Sequence, residues 1–116
     1  NKKKKFNTPA FNFDEVVKIP RNAILLSSNN LNNVMALNFK TSVSDIWGIQ
    51  YHPEITYAKM VSLIHFRKER LLKKGAFKNE DEINSHVKII ESEIKHTEKT
   101  SRMRELENWI KYLYEN

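Results

Sequence analysis

Cysteine is absent from this 116-residue sequence. Its absence excludes disulfides and thiolate metal sites, and it removes the commonest nucleophile of amide chemistry. No apolar run is long enough to span a bilayer, and no secretory signal pattern is present. No internal repeat appears, and the run Lys2, Lys3, Lys4 and Lys5 is the one low-complexity stretch. What is there is ordinary: 40% hydrophobic and 29% charged residues, enough for one small globular domain. A cytoplasmic location is expected.

The net charge of +6 raises the question of nucleic acid. Four of those charges sit in the terminal lysine run, which reads as a solvated tail. Nucleic-acid binders spread positive charge over a folded face. Neither nucleic acid nor membrane is therefore expected as a partner.

Two halves read differently. Residues 6–54 hold short apolar runs separated by turn-forming residues, the pattern of short strands in hairpins or a meander. Val16, Val17 and Ile19 precede Pro20, which interrupts strand hydrogen bonding. Ala23–Leu26 runs into a turn at Ser27-Ser28-Asn29-Asn30. From Val34 to Phe39 the residues alternate, with Val34, Ala36 and Asn38 opposite Met35, Leu37 and Phe39. Ile46–Tyr51 is a further strand candidate.

The second half is helical. Met60, Val61, Ile64 and Leu71 form a stripe with helical spacing, and Lys73, Lys74 and Gly75 mark its end. Asn79 with Glu82 resembles a capping box, supported by acidic Glu80 and Asp81 at the positive end of the helix dipole. The next stripe is Ile83, Val87, Ile90 and Ile94. A last helix is expected from Thr100 or Ser101, with Met103, Leu106, Ile110 and Leu113 facing inward. Such stripes chiefly bury one helix face, although Trp109 and Tyr112 offer a contact surface for a second subunit. Arg67, Lys68, Arg70, Lys73, Lys74 and Lys78 read as the wet face and end of a helix. His65, His86 and His96 lack the companions of a metal site, and no metal or other cofactor is expected.

The segment with chemical content is Trp47-Gly48-Ile49-Gln50-Tyr51-His52-Pro53-Glu54. A strand delivers a histidine at its C-terminal end, where open α/β sheets place ligands. Pro53 fixes the direction in which the chain leaves. Glu54 can accept from one imidazole nitrogen, which leaves the other nitrogen to act as a base. A surface histidine beside a helix-starting Pro-Glu pair is the plainer alternative for such a tripeptide.

Gly48-Ile49-Gln50-Tyr51-His52-Pro53-Glu54 resembles the glycine-hydrophobic-glutamine-aromatic-His-Pro-Glu signature of class I glutamine amidotransferases. Phe13-Asp14-Glu15-Val16-Val17 followed by Ile19-Pro20 resembles the segment leading into it in GMP-synthase-like members. The likeness extends over residues 9–65. It implies an α/β fold, the C-terminal part of a flavodoxin-like domain with short strands followed by two or three α-helices. Residues 1–74 would belong to that domain and residues 75–116 to a helical C-terminal extension.

In that family a cysteine attacks the side-chain amide of glutamine, ammonia leaves, and the thioester is hydrolysed. The resemblance implies that His52 accepts and redelivers protons and that Glu54 orients it. It also implies that the backbone around Asn12 and Phe13 borders the glutamine pocket, although Asn12 stands where relatives often carry histidine. The cysteine and the oxyanion donors lie in a part of the family's domain upstream of this chain. The chain thus reads as a fragment, a half of a split enzyme, or a degenerate homologue acting as a non-catalytic interaction module. A γ-glutamyl peptidase-type thiol hydrolase shares the same core. Expected partners are glutamine, the cysteine-bearing N-terminal half, a synthetase domain or subunit, and a second copy through self-association.

Overall fold

The computed structural model describes residues 5–94 and 99–116. The elements run β1 (Ile24–Ser27), β2 (Ala36–Lys40), β3 (Asp45–Ile49), α1 (Tyr57–Phe66), α2 (Lys68–Lys73), α3 (Glu80–Glu93) and α4 (Lys99–Glu115). The chain is α/β, with a three-stranded antiparallel sheet preceding four helices among the described residues. That arrangement is consistent with the C-terminal part of a flavodoxin-like domain. Lys2, Lys3, Lys4 and His96 lie outside the described residues. Two compact units divide the chain: Ala10–His52, and Pro53–Asn116 together with the N-terminal stretch ending at Pro9.

The first unit is a meander of strand order β1-β2-β3. Central β2 pairs on both sides, so Leu37 stands opposite Leu25 on β1 and Gly48 on β3. Met35, Ala36 and Leu37 are buried in succession, on both faces of the pleat. The β1–β2 register shifts between Leu25 and Ser27, a bulge-like irregularity at the edge of the sheet. Side chains shape both turns. Asn29 Oδ1 accepts from the Leu31 and Asn32 N–H groups at 2.9 and 2.7 Å, the local bonding that makes asparagine a turn residue. Thr41 Oγ1 accepts from Ser44 N–H at 3.0 Å, and Thr41 N–H donates to Ser44 O at 2.8 Å. Asn38 Nδ2 reaches across the hairpin to Ile46 O at 3.2 Å.

The three strand candidates from Ala23 onward form strands, whereas Phe13–Ile19 does not. Two of its large apolar side chains are uncovered among the described residues, Phe13 at 61% and Val17 at 88% exposed, while Val16 is half-buried. Without a buried face a short apolar run has little to stabilise an extended pairing.

The helical unit begins with a cap. Thr56 Oγ1 accepts from Lys59 N–H at 3.1 Å and satisfies one of the free donors of α1. Ile64 of α1 and Ile83, Val87 and Ile90 of α3 are buried where these two helices pack together. The stripe from Met60 to Leu71 is divided between α1 and α2 rather than carried on one helix. Arg67, at φ −98° and ψ 9°, breaks the regular geometry. Hydrogen bonds from Arg67 N–H to Leu63 O and from Leu71 N–H to Arg67 O, both 2.9 Å, keep the pieces nearly continuous.

Gly75 ends α2 as expected. Its φ is +70°, and Gly75 N–H and Ala76 N–H donate to Leu72 O and Leu71 O at 3.0 Å each. These are the two bonds of a Schellman cap. Asn79 caps α3, its Oδ1 accepting from Glu82 N–H at 2.9 Å. Glu82 Oε2 reaches back to Lys78 N–H at 2.6 Å, one residue before the position a capping box uses. Lys68 on α2 pairs with Glu80 on α3 at 2.6 Å.

On α4 the expected inward face is covered only in part. Met103 and Leu106 are half-buried, but Ile110 is 49% and Leu113 55% exposed. Among the described residues the stripe thus continues on α4 beyond its covered part. Among the described residues no helix is long and apolar enough to cross a membrane.

Candidate functional site

The sheet places His52 through backbone pairing that continues beyond β3. Gln50 N–H donates to Met35 O at 2.8 Å, so the strand stays attached to the centre of the sheet past Ile49. Tyr51, 3% exposed, then forms an isolated antiparallel bridge with Ala10. His52 follows, half-buried. A histidine held this way has a backbone fixed by its neighbours and an imidazole that still reaches solvent.

The Ala10–Tyr51 bridge also decides which upstream residue meets the imidazole. In an antiparallel register with Ala10 opposite Tyr51, Phe11 falls opposite Gln50 and lies diagonal to His52 on the same face. The Phe11 and His52 rings accordingly meet, with centroids 5.9 Å apart and planes tilted by 59°. Phe11 escapes sequence reasoning. The signal that could have found it is the pairing register, and a single isolated bridge leaves no alternation to read.

Asn12 and Phe13 lie in the same sheet-bearing unit and are exposed. Asn12 Nδ2 donates to Asp14 O at 3.1 Å, so its amide turns toward its own backbone. Glu54 opens the helical unit, exposed, after the nearly inaccessible Pro53 and two residues before the cap at Thr56. The boundary between the two units therefore falls inside the His-Pro-Glu tripeptide.

The other histidines have different surroundings. His65 is exposed near the end of α1. His86 rests against Phe77, with ring centroids 5.3 Å apart. Among the described residues no group of three His, Asp or Glu side chains could hold a metal ion. The basic side chains Arg67, Arg70, Lys73, Lys74 and Lys78 are exposed, which fits a wet helix face.

No protein-family model matches the chain, and no solved structure matches it. The chain is similar to a γ-glutamyl-L-1-hydroxyisopropylamide hydrolase of a Pseudomonas species, at 26% identity over 85 residues. The likeness takes in 73% of this chain and 28% of that protein, so the chain spans less than a third of its relative's length. This similarity supports the wider amidotransferase-like superfamily whose signature Gly48–Glu54 resembles, without singling out the GMP-synthase-like subgroup.

Proposed function

We propose that this chain is the C-terminal part of a thiol amidohydrolase that cleaves the side-chain amide of a γ-glutamyl compound. Glutamine is the unsubstituted member of that class. N-alkylated γ-glutamyl amides are the members to which the name of the Pseudomonas relative points. The observation that carries the reading is His52, delivered by β3 within a seven-residue signature and followed two residues later by Glu54.

In the proposed reaction His52 takes the proton of a cysteine thiol supplied by the remainder of the domain. The thiolate attacks the γ-carbonyl carbon, and the negative charge on oxygen is held by backbone N–H donors outside this chain. The imidazolium then gives its proton to the leaving nitrogen, the C–N bond breaks, and ammonia or an alkylamine departs. Water, deprotonated by the imidazole, attacks the thioester and returns the thiol and glutamate. Glu54 holds the imidazole in the tautomer this exchange needs. No metal or other cofactor enters the scheme. Asn12 and Phe13 border the substrate pocket in the same proposal.

Residues 1–74 would complete the amidotransferase-like domain, and residues 75–116 would be its helical extension. A synthetase domain or subunit would receive ammonia if glutamine is the substrate, and a cytoplasmic location goes with that role. The test uses the intact polypeptide that contains this chain, assayed with glutamine and with a γ-glutamyl alkylamide. Amine release from either substrate is expected, with loss of at least about 10³-fold in kcat in His52→Ala, in line with removal of a catalytic base. Unchanged turnover in that variant would remove His52 from the chemistry.

A second reading, a non-catalytic interaction module, draws on the exposed Trp109, Ile110 and Leu113 of α4. It would be favoured if the intact polypeptide released no amine and instead self-associated or bound a partner through α4. Light scattering of the 116-residue chain, alone and with Ile110→Ser, reads that self-association directly.

A further inference from the structure

We infer that Phe11 is a positioning residue for the His52 imidazole, an inference that rests on the amide-hydrolase reading. The two rings lie within the 4.5–7 Å centroid range in which tilted aromatic pairs attract. Their meeting is built into the backbone. The Ala10–Tyr51 bridge sets Phe11 and His52 on the same face as diagonal neighbours. Both residues are half-buried, and the Phe11 ring lies against one flank of the imidazole.

A base that must serve two partners in turn, a leaving nitrogen and a water, depends on a narrow range of ring orientations. Misplacement by about 1 Å costs on the order of 10²-fold in rate. A backbone fixed at Tyr51 settles where the His52 Cα lies. The ring contact with Phe11 acts on the two side-chain torsions that then set the imidazole's direction. The contact the structure shows is with the histidine, so loss of Phe11 should fall on kcat rather than on substrate affinity.

Two measurements separate this role from the activity itself. In the 116-residue chain, the His52 imidazole protons should show cross-relaxation to the Phe11 ring and a ring-current displacement. Both should vanish in Phe11→Leu, which keeps an apolar side chain on the segment, and the displacement should return in Phe11→Tyr. In the intact polypeptide, Phe11→Leu should lower kcat by roughly 10- to 100-fold with KM within about twofold, and Phe11→Tyr should restore most of the rate. Absence of the cross-relaxation in the unaltered chain would overturn the inference. So would a Phe11→Leu enzyme that keeps its kcat or loses only substrate affinity. Should the intact polypeptide release no amine at all, the amide-hydrolase reading fails, and with it the catalytic purpose of Phe11. The magnetic-resonance measurement would still decide whether Phe11 orders the imidazole.

Discussion

Tyr57 shows how one side chain links the helical unit to pH. It is the first residue of α1 and half-buried, and burial pushes its phenol above the ordinary value of 10.0. Glu93 adds to the upward shift, and the buried Arg102 opposes it. A phenol that holds its proton more tightly in the folded state than in the unfolded one contributes stability that is intact below pH 10. That contribution is lost as pH rises through 10 and toward the raised folded value. Urea unfolding at pH 8 and pH 10.5 should therefore show a larger alkaline loss for the natural chain than for Tyr57→Phe. Equal losses in both would mean that Tyr57 is not the group responsible. The same scale shows what the sequence could announce about the site. His52 stood out because a seven-residue signature surrounds it, whereas Phe11 reaches its place through long-range pairing that leaves no local pattern. Gly48 is instructive in another way. A Cβ there would meet the Leu37 side chain at 3.8 Å, ordinary contact, so crowding within this sheet does not explain the glycine of the signature.

Among the elements, ends were more legible than interruptions. Asn79 and Gly75 announce themselves because each residue type solves a specific problem of unsatisfied helix groups. The break at Arg67 has neither glycine nor proline to mark it, and the single apolar stripe through Met60, Ile64 and Leu71 concealed it. Strands β2 and β3 were readable from their apolar residues. Phe13–Ile19 forms no strand, and its Phe13 and Val17 stay exposed. Gly75 supplies the sharpest test at this level. Its φ of +70° lies in the left-handed region, and nothing stands within 4 Å of a Cβ placed there. Any loss in Gly75→Ala thus reports backbone conformation alone. A destabilisation of about 1 kcal/mol is expected from denaturant titration. No loss would mean that the Schellman geometry at the end of α2 is not maintained in solution.

Across the chain as a whole, apolar residues divide between a small core and an unusual amount of exposed surface. Ile83, Val87 and Ile90 are buried along α3, while Ile24, Leu25 and Leu26 of β1 and Ile110 and Leu113 of α4 remain open. A helix stripe is normally written into a sequence to be covered, and in α4 the pattern continues where the cover stops. The contrast between two isoleucines makes this measurable. Ile83 is 1% exposed, and Ile83→Ala should cost about 2–5 kcal/mol through lost burial and the cavity left behind. Ile110 is 49% exposed; in the 116-residue chain Ile110→Ala should change stability by no more than about 0.5 kcal/mol, since alanine also favours the helix. Denaturant unfolding of the two variants at a protein concentration low enough to keep the chain dispersed reads both values. A loss above about 2 kcal/mol at Ile110 would mean that the C-terminal half of α4 is packed in solution after all. A small loss in this chain joined to a large one in the intact polypeptide would identify the missing cover as residues this chain does not contain.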